Sequence, residues 1–340
     1  MAKRAGVSLA TVSYVLNNGP RRVGAARRER VCAAAHELDY QPRASAPRRV
    51  LVIGVVVPDV TNAFFARAVQ GIEDVLRPAG HLVVVGSSGE DPVRERHLIQ
   101  SLVRRGVAGL VLTPCAEISR EAGRLGRRVA PMVIMDREGG STGLNRVTMD
   151  NYRSAFQAVR LLWESGHRRI GLVNGPDRID TARERLRGYT EALAFAGLPF
   201  DPGLVQSGAF SFEHGLHGTR ALLGLPEPPT AVFSSSTILT AGMMWALREH
   251  RLRVPDDIAV VGFGDTIWAP LVTPPLTVIE QPSRLMGETA ARLLLAAISG
   301  EPSAGDQAVV LESRLILRES HWRVTQPALA NGPVAAGSGA

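Results

Sequence analysis

At 340 residues and 45% hydrophobic composition the chain is longer than one ordinary domain and has material for two or three packed units. It contains no apolar run of about 18 residues and no basic-then-apolar leader, so a cytoplasmic chain is expected, neither membrane-inserted nor secreted. Its net charge of +7 is localised: residues 1–49 carry ten Lys or Arg against three acidic residues, and the remainder carries 29 of each sign.

Taken in chain order, residues 6–18 have the logic of a helix-turn-helix. Gly6 permits a tight turn, Ser8 is placed to cap the next helix, and Val12, Val15 and Leu16 form its buried stripe at i, i+3, i+4. Leu9, Ala10, Ser13, Tyr14 and Asn17 then fall on the opposite face. A following helix, Ala26–Leu38, is expected to bury Val31, Ala34 or Ala35, and Leu38. A small basic head on a neutral body suits a polyanion, because counterion release rewards clustered Lys and Arg.

From residue 50 onward, short β-branched runs alternate with segments of helical period, the pattern of βα units and parallel sheets. Strands are expected at Val50–Val57, Leu82–Gly86, Gly109–Thr113, Met132–Met135, Ile170–Asn174, Ala231–Ser234 and Ile258–Gly262, then near Leu276–Ile279 and Val309–Leu311. The amphipathic stretches are Phe64–Leu76, Arg94–Arg105, Ser154–Ser165, Glu184–Ala196, Ile238–Glu249 and Leu285–Ile298. These units suffice for two doubly wound lobes. Ligands of such sheets bind at the carboxyl ends of strands, which makes Pro58–Ala63, Asp136–Gly143, Gly175–Ala182 and Phe263–Trp268 the functional loops.

None of these loops carries a phosphate-binding, nucleophile-elbow or metalloprotease motif, so neither an enzyme nor a cofactor is expected. His214 and His217 lack a third ligand, and the Gly86–Gly89 loop reads as a plain strand-to-helix turn. Cys32 and Cys115 stand in no ligand spacing and read as two buried thiols of a reducing compartment. From about Thr325 the chain is rich in Ala, Gly and Pro without periodicity, which marks 323–340 as a disordered tail.

The head resembles the LacI (lactose-repressor) family. The resemblance rests on Ala5–Asn17, on Arg28–Val31 and on Leu38–Asp39–Tyr40–Gln41–Pro42, and it continues through Ile53–Asp59, Asp136–Arg137, Asp150–Asn151, Gly166–Gly171, Arg185–Tyr189 and Pro274–Thr277. It covers Met1 to about Arg318. What it implies is an α/β two-lobed, periplasmic-binding-protein-like core of doubly wound parallel sheets behind an all-α helix-turn-helix head. The expected divisions are a head over 1–42, a hinge over 43–50, and an effector-binding and dimerisation core over 51–322. Its N-lobe would hold about 51–149 plus 281–312, and its C-lobe about 150–280 plus 313–322.

By resemblance the protein is a homodimeric regulator, most simply a repressor, reading double-stranded operator DNA under control of a small polar effector, sugar-like or nucleobase-like. Leu9, Ala10 and Tyr14 would face base edges, and Thr11, Ser13 and Asn17 phosphates, with Ser8, Arg28 and Arg43 completing the DNA contacts. The effector positions are Phe64, Phe65, Asp136, Arg137, Asp150, Arg185 and Phe210: rings for flat or C–H-rich faces, charged groups for hydroxyls.

Several departures matter. The family's Gly-Tyr/Phe-Asp-Asp is here Gly262–Phe263–Gly264–Asp265, which leaves Asp265 or Trp268 to replace a carboxylate, and its Asn-Asp is Ser236–Thr237. Tyr14 stands where Arg or His is frequent, so base preference does not transfer. The hinge is short, broken by Pro47 and without the usual wedge leucine, which predicts a linker crossing phosphates through Arg43, Arg48 and Arg49 without kinking the duplex. Met1 stands where the family has an internal Val, so a start further upstream is expected. The competing readings are a regulator with impaired DNA binding and a transporter's solute-binding protein.

Overall fold

The computed structural model describes residues 2–16, 23–38, 50–115, 130–140, 143–300 and 307–322. The expectations for Asn17, Arg43, the linker through Arg49 and the 323–340 tail lie outside the described residues, as does the Leu16 side chain. The chain divides into two units, residues 1–51 and 52–340.

The first unit holds α1 (Ala2–Ala5), α2 (Leu9–Leu16) and α3 (Ala25–Glu37). Gly6 takes φ +63° in the turn between α1 and α2, and Ser8 Oγ accepts the Thr11 N–H at 3.2 Å, capping α2. Val12 and Val15 bury against Ala5, Val31 and Ala34. The four-residue α1 is too short to persist alone. It is held by that packing and by an Arg4–Glu37 ion pair at 2.9 Å. Two expectations are corrected. Leu38 is exposed, because α3 ends at Glu37 and Leu38 leaves the helical stripe as its C-cap. Cys32 is also exposed, one position round the helix from buried Val31, while Cys115 is buried.

The second unit contains two six-stranded sheets. The N-lobe sheet has the order β11-β5-β4-β3-β1-β2, from β1 (Val52–Val57), β2 (Leu82–Ser87), β3 (Gly109–Leu112), β4 (Met132–Met135), β5 (Asn145–Met149) and β11 (Ala308–Leu311), paired parallel throughout. The C-lobe sheet has the order β12-β10-β9-β8-β6-β7, from β6 (Ile170–Asn174), β7 (Val205–Ser207), β8 (Ala231–Ser234), β9 (Ala259–Phe263), β10 (Thr277–Glu280) and β12 (Arg314–Ile316). Only the β10–β12 pair is antiparallel in that sheet. Among the described residues the α-helices are α4 (Ala63–Leu76), α5 (Pro92–Arg104), α6 (Asn151–Glu164), α7 (Asp180–Phe195), α8 (Phe212–Leu223), α9 (Thr237–Glu249) and α10 (Ser283–Ile298). The chain passes between the sheets after β5, after β10 and after β11.

Candidate functional site

In the N-lobe β1 lies between β2 and β3, and in the C-lobe β6 lies between β7 and β8. Successive connections leave β1 and β6 to opposite sides, so each sheet opens a crevice at the carboxyl end of that strand. The two crevices form one cleft. It brings together six of the nine residues expected at an effector site: Phe64 and Phe65 at the start of α4, Asp136 and Arg137 after β4, Arg185 on α7, and Phe210 before α8. Water-sized space among these side chains is about 60 Å³, and neighbouring hollows of about 170 and 290 Å³ share Arg137 and Asp136 with it.

Arg185 is the C-lobe centre of this cleft. Its side chain is buried, with Nε donating to Asn151 Oδ1 at 2.9 Å, Nη1 donating to the Ser235 carbonyl at 2.5 Å, and the guanidinium 4.0 Å above the Phe263 ring. Burial lowers its pKa to about 10, against the pull of the Asp136 charge. No described residue accepts from Nη2, which leaves that edge for a ligand.

Asp136 answers from the N-lobe. It is buried with a left-handed φ of +70°, its Oδ1 meets no hydrogen-bond partner among the described residues, and Oδ2 lies 4.0 Å from Arg137 Nε. Burial raises its pKa to about 6, although the Arg137 and Arg185 charges pull the other way. A sparsely populated backbone conformation holding an unsatisfied carboxylate is a site awaiting donors. Arg137 is more committed. Its Nη1 and Nη2 form a fork onto Glu90 at 3.0 and 2.6 Å, and Nη1 also reaches the Pro114 carbonyl at 2.7 Å. It therefore works first as an N-lobe brace for the turn that carries Asp136.

Phe64 and Phe65 meet edge to face at 5.0 Å and are both buried, so they serve the core as well as the cleft wall. Phe210 is set by Gly175, where an added Cβ would stand 2.1 Å from the ring tip. Gly175→Ala is expected to drive this ring into the cleft, costing about 1–3 kcal/mol of core stability. Thermal unfolding of the purified variant checks it.

Three expected effector residues lie elsewhere. Asp150 caps α6, accepting the Arg153 N–H at 2.8 Å, and lines an adjoining hollow that shares Asp136 and Thr181 with the cleft. Trp268 packs against the C-lobe core. Asp265 is turned to an ion pair with Arg318 at 2.9 Å, since Gly264 has φ +88° and a side chain there would collide with Thr237 Oγ1. The two family departures are thus coupled: Thr237 fills the space that a carboxylate at 264 would need. Conversely, Asp59, Asn62, Glu90, Thr181, Ser236, Thr237 and Gln281 also line the cleft. Asp59 and Ser236–Thr237 were marked by the family resemblance; the signal of the others was position alone, in or near loops at strands' carboxyl ends.

On the head, Ser8, Leu9, Ala10, Ser13 and Tyr14 are exposed and Thr11 is half-buried. Leu9 is 79% exposed on a helix whose other face, Val12 and Val15, is buried. Arg28 projects from α3 into solvent. Ser8 has its hydroxyl engaged as the cap, bonded also to Thr11 Oγ1 at 2.9 Å.

A two-lobed cleft with opposed charged groups, in one chain with a helix-turn-helix, defines the class of ligand-controlled, DNA-binding transcription regulators. Residues 1–43 match the family described as bacterial regulatory proteins, lacI family, and residues 159–321 match a periplasmic binding protein-like domain. The HTH-type transcriptional repressor CytR of Escherichia coli (strain K12) is 34% identical over 332 residues, covering 94% of each chain. Among solved structures, a complex of the transcriptional regulator CelR with cellobiose is 34% identical with TM-score 0.72, covering 94% of this chain and 98% of the other. The lac repressor dimer bound to operator and an anti-inducer is 28% identical with TM-score 0.73, covering 94% and 97%. The chain belongs to the lacI family of bacterial regulatory proteins.

Proposed function

We propose that this protein represses transcription as a homodimer on a pseudo-palindromic operator, and that a small polar effector, sugar-like or nucleobase-like, sets its operator affinity. The observation that carries the DNA-binding part is the exposed apolar and aromatic face of α2, with Leu9 and Tyr14 in water above a complete small core. An isolated head gains nothing from that face; a major groove does. The effector part rests on Asp136 Oδ1 and the open edge of Arg185 facing one cleft walled by Phe64, Phe65 and Phe210. The CelR relative holds cellobiose, a polyol whose hydroxyls both donate to a carboxylate and accept from a guanidinium.

The homodimer is supported by edge strand β2, whose Leu82, Val84 and Val85 are exposed, and by exposed Ile267 and Leu271 in the C-lobe. Among the described residues no helix is long and apolar enough to cross a membrane. The reading as a binding protein rather than an enzyme rests on the repressors it resembles.

The test is operator binding by an in vitro-selected DNA site. Tyr14→Ala is expected to weaken that site by about 1–3 kcal/mol while leaving non-specific DNA unaffected. Arg28→Ala should weaken both and flatten the salt dependence by about one phosphate contact. If Tyr14→Ala leaves the ratio of specific to non-specific binding unchanged, α2 is not the reading helix.

A further inference from the structure

Among the described residues two polar bonds cross from lobe to lobe beside the cleft. On one flank the Asp180 carboxylate, in the first turn of α7, accepts the backbone N–H of Glu138, in the turn after β4, at 2.5 Å. On the other flank Arg67 Nη1 of α4 donates to the Asp265 carbonyl at 3.0 Å. The first has the greater reach. Glu138 belongs to the turn that carries Asp136, and Asp180 opens the helix that carries Arg185, so a single carboxylate joins the mounts of Asp136 and Arg185.

The local chemistry favours an acid at this place. Asp180 Oδ1 accepts the N–H of Thr181 at 2.7 Å, and the amino end of a 16-residue helix favours negative charge, so the carboxylate is oriented from the C-lobe side before it meets the N-lobe. Its second oxygen is then presented to the Glu138 N–H.

We propose that Asp180 is an interlobe clasp and a positioning residue: it holds the core closed without effector and sets Asp136 against Arg185 in advance of binding. When the lobes part, water replaces the carboxylate at the Glu138 N–H. Removing the carboxylate leaves that N–H unsatisfied only in the closed form, which shifts the equilibrium toward open. A bond from an N–H to a charged acceptor is expected to move the closed-to-open ratio about tenfold or more. The role in effector binding rests on the function proposed above, whereas closure itself involves neither effector nor DNA.

The experiment measures the lobe separation in the full chain with no ligand. With Cys32 replaced by Ser, spin labels are placed at Val60 and Glu213, exposed residues on opposite lobes next to cleft-lining Asp59 and near Phe210, and their distance distribution is recorded. The wild-type chain is expected to show one short-distance population. Asp180→Ala should raise the long-distance population about tenfold, and Asp180→Asn, which keeps one acceptor for two donors, should fall between them. Arg67→Ala should add to Asp180→Ala, since it acts on the opposite flank. A folded Asp180→Ala chain with the wild-type distribution overturns the proposal, as does a wild-type chain already open. Should Asp180→Ala fail to fold, Asp180→Asn and Arg67→Ala decide: wild-type distances in the Asn variant, with opening only in Arg67→Ala, remove Asp180 from the role. No operator or effector enters the measurement, so loss of the DNA-binding reading would leave its outcome intact.

Discussion

Arg185→Ala is expected to damage the core and its ligand binding together. The guanidinium satisfies Asn151 Oδ1 and the Ser235 carbonyl and stacks on Phe263. Truncation leaves two buried acceptors unpaired, at about 1–3 kcal/mol each, and removes a cation–π contact of about 1–2 kcal/mol. Part of this is returned, because the charge no longer has to be held out of water. The net expectation is a loss of about 2–4 kcal/mol, on the order of 5–10 °C in the melting temperature of the core. Effector affinity should fall by a further 1.5–3 kcal/mol or so, the scale of a hydrogen bond to a charged group. Arg185→Lys separates the two effects: an ammonium keeps the charge but cannot bridge both acceptors and a ligand in one plane. Calorimetric melting, followed by titration with cellobiose and with a nucleoside, reads both quantities. A variant that melts as wild type and binds as wild type would remove Arg185 from the centre of the site.

The reason this residue is visible in the sequence is that one motif, Arg185–Leu186–Arg187–Gly188–Tyr189, fixes both its helix and its depth. Gly188 permits close approach to α6 and Tyr189 is buried with its hydroxyl on the Ile170 carbonyl, so Arg185, one turn earlier, has to face inward toward the cleft. Asp136 was readable for a similar reason, as the residue at the carboxyl end of the hydrophobic run Met132–Met135. The apolar strands at the centres of both sheets were legible because burial on both faces demands continuous β-branched runs. What escaped was structure whose residues do not advertise it. β5, with Asn145, Arg146 and Thr148, is a strand because β4 and β11 pair with it on either side. The short β7 and β12 hold three residues each. α8 was hidden by Gly215 and Gly218, poor helix formers, of which Gly215 is needed where α8 meets the Leu239 backbone of α9. Asp150 misled in a different way. Its place beside Asn151 matched the family pattern, but one carboxylate oxygen caps α6, while the neighbouring Asn151 is the one that touches Arg185. Sequence proximity located the junction and could not choose which side chain entered it.

Asp136 predicts a measurable pH dependence. Its pKa in an unfolded chain is near 3.8 and in the folded core about 6, raised chiefly by burial. A raised carboxyl pKa means that the folded state holds the proton over an interval in which the unfolded state has released it. This contribution to stability is therefore complete below about pH 4, declines through pH 5, and is gone above about pH 6, a total of about 3 kcal/mol at roughly 1.4 kcal/mol per pH unit. Asp136→Asn should abolish that slope. The amide keeps the size, tolerates the left-handed backbone at φ +70°, and carries no charge to bury. The variant is expected to melt several degrees above wild type at pH 7.5 and to match it near pH 4. Effector binding should run in the opposite sense. Hydroxyl donors satisfy the ionised carboxylate, so wild-type affinity rises between pH 5 and 7.5 and the bound complex releases a proton at the lower pH. In Asp136→Asn both the rise and the proton release disappear, and affinity falls at pH 7.5. The two signs make the test stringent, because a purely structural Asp136 would alter stability with no change in ligand-linked protonation. Calorimetric titration at pH 5.0 and 7.5 in buffers of different ionisation enthalpy reads that proton directly; its absence in the wild-type chain would place the effector's contacts elsewhere in the cleft.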